Sequence, residues 1–179
     1  MTKFIKDFIL VDRQQVTTAC HLLKLRPEDG IMPAMLPGQF VQVEVKHSKS
    51  TFLRRPISIN FVDTADNTLW LLVRCAGEGT TALVESAVGD KINLVLPLGN
   101  GFNATPGGNR LLIGGGVGVA PLLYLGKQLR DSGTDVTFLL GARSDADLAM
   151  IEEFEKYGTV CISTEDGTRG EKGFVTMHT

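Results

Sequence analysis

The sequence predicts a two-domain α+β protein: an N-terminal antiparallel β-barrel followed by a partial α/β domain built on a parallel sheet. Three observations carry that expectation. The first hundred residues hold short apolar–polar alternations divided by turn residues, with no long helical period. The composition then changes, because residues 103–109 are rich in Gly, Pro and Thr. Beyond them strand and helix patterns alternate, opened by four glycines within five positions at 114–118.

In the barrel, strands are expected over 4–11 and 17–25, with loop chemistry at Arg26-Pro27-Glu28-Asp29-Gly30 and a turn at Pro37-Gly38. Residues 39–45 alternate polar and apolar, the period of a half-buried strand. Strands over 52–61 and 68–74 follow, joined by a hairpin at 63–67. A short helix over 79–88, a turn at Gly89-Asp90 and a last strand over 91–96 complete this part. The domains are therefore drawn at 1–102 and 103–179.

The second domain begins with a strand at 110–113, a helix at 121–131 and a strand at 135–140. The clearest helix is 144–157, with Ser144 as cap, Asp147 at the capping-box position and Gly158 as stop. Leu148, Ile151 and Phe154 share one of its faces. A third strand is expected at 159–163, and 164–174 reads as a polar, glycine-punctuated loop. Doubly wound domains usually have about five or six strands, so the chain is expected to be shortened, lacking roughly a third of the native protein.

Composition excludes several classes. The 179 residues carry a net charge of −2, with 43% hydrophobic and 21% charged residues, which gives no footprint for nucleic acid or a membrane surface. From Met1 the chain shows no apolar signal core, and no run approaches the ~20 residues of a membrane helix. The expected location is cytoplasmic. Cys20, Cys75 and Cys161 form no C-x-x-C pair, and His21, His47 and His178 stand singly, so no metal site is expected.

Three motifs carry chemistry. Leu111-Leu112-Ile113-Gly114-Gly115-Gly116-Val117-Gly118-Val119-Ala120-Pro121 runs from a strand through glycines into a helix, the construction that offers backbone N–H groups to a phosphate. It departs from the strict dinucleotide fingerprint; nucleotide binding is still the reading taken, with a tight glycine turn that packs a helix on a sheet as the alternative. Leu53-Arg54-Arg55-Pro56-Ile57-Ser58-Ile59 offers a guanidinium fork suited to pyrophosphate, or else a strand with two exposed arginines. Arg74-Cys75-Ala76-Gly77-Glu78-Gly79-Thr80-Thr81 is a second glycine- and hydroxyl-rich anion cradle. Two nucleotides bound in tandem is the economical interpretation. Consecutive residues at a strand end point apart, so Glu165-Asp166 reads as a solvated turn, and no catalytic acid or base is assigned.

Together these motifs resemble the ferredoxin–NADP reductase superfamily. Arg55-Pro56-Ile57-Ser58 resembles its flavin motif, and Pro37-Gly38-Gln39-Phe40, Pro97-Leu98-Gly99-Asn100-Gly101-Phe102 and 114–121 follow in its order. Within it, Leu53 to Ile59 and Gly141-Ala142-Arg143-Ser144 are most similar to electron-transfer subunits of type B dihydroorotate dehydrogenases, which serve pyrimidine biosynthesis. The resemblance implies a Greek-key FAD-binding barrel and an incomplete NAD-binding domain. By it, Arg55 holds the FAD pyrophosphate, with Pro56 and Ile57 beside it, and Ser58 bonds near the reactive flavin nitrogen. Leu72, Val73 and Arg74 line the flavin, while Gly79, Thr80 and Thr81 contact phosphate. Gly115, Gly116, Val117, Gly118 and Ala120 receive NAD(H). The implied partner is an FMN-containing catalytic subunit in a heterotetramer, and a [2Fe–2S] cluster is expected only in a longer native chain.

Other readings stay open. The chain is also similar to other NAD(P)H-dependent flavin, ferredoxin or sulfide oxidoreductase subunits of the superfamily, and a flavin-free binding module would keep the same fold. The strand ending at Leu140 leads into Gly141-Ala142-Arg143 with no acidic residue for a ribose, and Arg143 suits the extra phosphate of NADP. NAD is expected from the family alone.

Overall fold

In a computed structural model of the chain, residues 2–46 and 51–178 are described; Met1 and His47, named above, lie outside them. Among the described residues six strands close a barrel: β1 (Phe4–Gln15), β2 (Cys20–Pro27), β3 (Phe40–Val43), β4 (Arg55–Asp63), β5 (Thr68–Arg74) and β6 (Lys91–Leu98). Their order is β1-β2-β5-β4-β3-β6, every neighbouring pair antiparallel. Inward-facing Phe8, Leu10, Leu23, Val41, Ile59 and Leu71 are fully buried, so the alternation read in the sequence is the alternation between interior and exterior. The first hairpin departs from expectation. β1 runs on to Gln15 and β2 starts at Cys20, because the Thr17 hydroxyl accepts from the Ala19 and Cys20 N–H groups and folds 16–19 into a turn. The helix expected over 79–88 is α1 (Glu78–Val84), with the Asp90 carboxylate accepting from Ala87 N–H in the turn beyond it.

The second half holds β7 (Asn109–Gly115), α2 (Ala120–Asp131), β8 (Asp135–Ala142), α3 (Ile151–Glu155), β9 (Thr159–Thr164) and β10 (Glu171–Lys172). The sheet is parallel, in the order β10-β9-β8-β7. Two expectations are corrected here. The helix expected over 144–157 is split into a 3-10 turn at Asp145–Asp147, an extended link and the five residues of α3. Leu148, Ala149 and Met150 are consecutive apolar residues that all pack into the core beneath, which one helix face cannot achieve at 100° per residue. The chain meets that demand by leaving the helix at Leu148 (ψ 120°) and taking φ +61° at Met150. Ser144 does not cap a helix; its hydroxyl donates to the Asp147 carboxylate at 3.1 Å. The stretch read as loop also contains the two-residue strand β10, held because the buried Thr164 hydroxyl donates to Arg169 C=O and accepts from Arg169 N–H.

The halves share a hydrophobic core. Leu22, Phe61, Trp70 and Leu72 from the barrel meet Leu123, Phe138 and other residues of the sheet layer in one cluster. A β-bulge between Ile59 and Phe61 makes this possible. Ile59 and Val62 face the barrel interior, whereas Phe61 faces out, its ring centroid 5.0 Å from Trp70, 6.0 Å from Tyr124 and 5.8 Å from Tyr157. Beside it Asn60, fully buried, donates from Nδ2 to the Ala120 carbonyl at 2.8 Å. Tyr124 on α2 donates its hydroxyl to Met35 C=O at 3.2 Å. Among the described residues no helix is long and apolar enough to cross a membrane.

Candidate functional site

On the barrel, β4 and β5 pair from Asp63↔Thr68 as far as Ile59↔Leu71, and among the described residues the ladder goes no further. Residues 55–58 then pair with β3 alone, and 72–74 with β2 alone. The two strands therefore part and, among the described residues, leave facing backbone edges without ladder partners, free to hydrogen-bond elsewhere.

The two arginines at this opening have separate fates. Arg54 turns toward β6, donating to Asn93 C=O at 3.0 Å and to its side-chain oxygen at 2.6 Å. Arg55 turns toward α1, where a Cβ placed on Gly79 would lie 2.5 Å from its Nε and 3.1 Å from its Cζ. The structure thus brings together the guanidinium and the glycine cradle that lie 24 positions apart in sequence. Pro56 is exposed, Ile57 packs on the barrel core and Ser58 is half-buried.

Other expected contacts are redirected. Leu72 points into the core shared by the two halves and Val73, fully buried, into the barrel, so only their main chain borders the opening. Thr80's hydroxyl accepts from Ala76 N–H (3.0 Å) and Gly77 N–H (3.2 Å) and donates to Gly77 C=O (3.0 Å), so it closes the turn before α1. Thr81 is exposed, and its N–H donates to Gly77 C=O.

The glycine cluster divides its work. Gly114 serves packing: a Cβ there would stand 2.8 Å from Leu122 Cδ1. Gly116 takes φ +54° at the start of the 3-10 turn Gly116–Val119, a conformation glycine adopts without penalty. A Cβ at Gly116 or Gly118 would meet none of the described atoms within 4 Å. The packing reading of the motif holds at Gly114, while the turn at Gly116 and Gly118 leaves open space beside it. Ala120, by contrast, is buried in the shared core.

This turn borders a cleft of about 330 Å³ at the carboxyl ends of β7, β8 and β9. Its walls include Gly115, Gly116 and Val117, then Gly141 to Arg143, with Arg74 reaching in from the barrel. Sequence reasoning missed Asp147 and Phe174, which also line it. Asp147 corrects the expectation of no acidic residue near the end of β8. Its carboxylate pairs with Arg143 at 3.6 Å and accepts from Ser144, because the 3-10 turn folds it back toward the strand end. A helix drawn through 144–157 hid this placement; the signal was the Ser-x-x-Asp pair itself. Asp166 accepts from the Thr168 hydroxyl and N–H, which hold its carboxyl below the usual range, as a turn residue should. Cys75 sits 3.8 Å from His21 Nδ1, its thiol pushed up by burial and then by Cys20 and Glu85. Among the described residues no group of three or more His, Cys, Asp or Glu could hold a metal ion.

No protein-family model matches the chain. Similar curated proteins are electron-transfer subunits of dihydroorotate dehydrogenase B (NAD(+)). That of Shouchella clausii is 43% identical over 143 residues, covering 78% of this chain and 55% of the relative. That of Lysinibacillus sphaericus is 39% identical over 170 residues (93% and 65%), and that of Fusobacterium nucleatum 34% over 175 residues (96% and 67%). The chain therefore spans between about half and two thirds of the length of these relatives. Among solved structures, an NADH-dependent reduced ferredoxin–NADP oxidoreductase superposes with a TM-score of 0.83 at 30% identity, covering 94% of this chain and 60% of that one. The ferredoxin reductase of carbazole 1,9a-dioxygenase shares the fold, with a TM-score of 0.83 at 21% identity, covering 98% and 56%. Barrel, glycine turn and sequence identity over nearly the whole chain agree: this protein belongs to the family of dihydroorotate dehydrogenase B electron-transfer subunits.

Proposed function

We propose that this chain binds FAD at the opening between β4 and β5 and NAD(H) in the cleft beside the glycine turn, as the nucleotide-binding part of an electron-transfer subunit. The division of labour falls at residues 102/103, where the barrel gives way to the sheet. The observation that carries the reading is the Arg55 guanidinium lying against Gly79 at the end of an unpaired strand edge. A side chain at 79 would fill that space, and a pyrophosphate needs both the fork and the approach to backbone. Bound FAD would supply the chemistry, accepting an electron pair from NADH and releasing electrons singly. The chain's own residues bind and orient: Arg55 neutralises phosphate charge, the Ser58 hydroxyl offers a hydrogen bond along the strand, and main chain at 72–74 edges the ring. Gly115 to Gly118 admit the dinucleotide, with Arg74 facing it across the cleft.

In this reading the partner is a dihydroorotate dehydrogenase catalytic subunit, as the relatives' name suggests; that it carries FMN and joins this chain in a cytoplasmic heterotetramer belongs to the proposal. The identity to an NADH-dependent reduced ferredoxin–NADP oxidoreductase supports a second reading, a subunit of another NAD(P)H-linked flavin system. Co-purification with a partner that oxidises dihydroorotate separates the two.

The deciding measurement is the visible spectrum of the purified chain, repeated anaerobically with NADH. A flavin spectrum that releases FAD on denaturation and bleaches with NADH is the expected result. A colourless chain that takes up no added FAD overturns the proposal and leaves a binding module.

A further inference from the structure

We infer that Asn60 is a positioning residue: its side chain fixes the glycine turn, and whatever that turn holds, relative to the strand that carries Arg55 and Ser58. The inference rests on the FAD and NAD(H) reading above. Asn60 occupies the bulge of β4, two residues beyond Ser58, and is fully buried. Its Nδ2 donates to the carbonyl of Ala120, the residue at which the Gly116–Val119 turn passes into α2. One hydrogen bond thus joins the flavin-side strand to the end of the nucleotide turn.

The other half of the carboxamide gives the reason to see positioning rather than stability. Among the described residues, Asn60 Oδ1 is buried and meets no hydrogen-bond partner. A buried unpaired acceptor is destabilising, and an apolar side chain of the same size would remove the deficit. Its neighbours supply adhesion without direction: Phe61, Trp70 and Tyr124 pack as rings in the shared core. Ring contacts permit small sliding movements, whereas an N–H···O bond fixes a distance and an angle. Transfer between two stacked rings is sensitive to such displacements, with about 1 Å capable of costing 10²-fold in rate.

The test compares wild type, Asn60→Leu and Asn60→Ser, with Tyr124→Phe as a control that removes a different polar link between the halves. In the chain without ligands, hydrogen exchange should rise at least tenfold at the amides of 116–120 in both Asn60 variants and stay unchanged in β8. The melting temperature of Asn60→Leu should equal or exceed that of wild type. In the FAD-loaded chain, flavin content should be retained, while anaerobic mixing with NADH should show a limiting reduction rate at least tenfold lower. The NADH dissociation constant should be little changed, and the long-wavelength charge-transfer absorbance weaker. Tyr124→Phe should reduce at the wild-type rate. Unaltered exchange at 116–120 overturns the inference, as does a limiting rate within twofold of wild type. A wild-type chain that takes up no FAD defeats the functional reading instead, and the exchange experiment still decides the role of Asn60. If Asn60→Leu fails to fold, Asn60→Ser carries the same readouts.

Discussion

The Arg55 guanidinium occupies the space that a side chain on Gly79 would need, Nε lying 2.5 Å from the point where its Cβ would be. A charge on one strand and a bare backbone at the start of a helix are thus parts of one surface. Arg55→Ala should leave the barrel folded, because Arg54 supplies the structural bonds to Asn93. A charge-assisted contact is worth about 1.5–3 kcal/mol, so FAD affinity should fall roughly 10- to 100-fold. Gly79→Val should act in the same direction by displacing the guanidinium. Flavin titration by fluorescence quenching reads both, and unchanged affinity in Arg55→Ala sinks the assignment.

Gly126 on α2 lies against the Phe138 ring of β8, and a Cβ there would fall on the ring atoms Cζ and Cε1. Phe138 is fully buried and itself packed edge-on against Phe154 at 4.9 Å, so it has little room to move. Gly126→Ala should destabilise the chain by about 1–3 kcal/mol despite alanine's better helix propensity. Denaturant unfolding measures it; a stabilised variant would show that the ring moves freely.

Tyr124 gives the protein an alkaline limit. Burial raises the pKa of its phenol, and burial likewise raises that of Tyr157. In both cases the folded chain keeps a proton that the unfolded chain surrenders first. Stability should therefore be level below the unfolded value of about 10 and fall as pH rises beyond it. Tyr124→Phe loses the bond to Met35, which costs about 1 kcal/mol near pH 7, and should flatten the alkaline decline. Urea midpoints at pH 7 and above pH 10 test the pair of effects.

Arg143 at the mouth of the cleft is paired with Asp147, so its charge is offset there; under the proposed function a dinucleotide ribose lies beside this pair. Asp147→Asn should raise the use of NADPH relative to NADH, by about tenfold if the carboxylate repels a ribose phosphate. Arg143→Ala should lower it. Ratios of kcat/KM for the two nucleotides decide the matter, and equal ratios in all three proteins would remove both residues from selection.

Much of this site was legible because its elements obey simple periods. The barrel strands alternate, the turns carry Gly, Pro, Asn and Asp, and the glycines at 114–118 announce a strand-to-helix turn. Illegible parts depend on tertiary demand. Ser144, Asp147 and the spacing of Leu148, Ile151 and Phe154 satisfy every local rule for a helix, yet the packing of Leu148, Ala149 and Met150 in succession against the core breaks it. β10 is two residues long, too short for any period, and exists through the side chain of Thr164. The redirection of Leu72 and Val73 follows from strand alternation once both faces of β5 are covered, which no single strand can announce.

The core that Phe61, Trp70 and Leu72 share with α2 and β8 has a consequence for handling the protein in pieces. A barrel cut free at residue 102 would expose Leu22, Phe61, Trp70 and Leu72 to water as one contiguous sticky face, inviting aggregation. The sheet half, released alone, would lose the cover over Leu122 and Leu123. Melting should accordingly be a single cooperative event across both halves, with function distributed over two parts that cannot be owned separately.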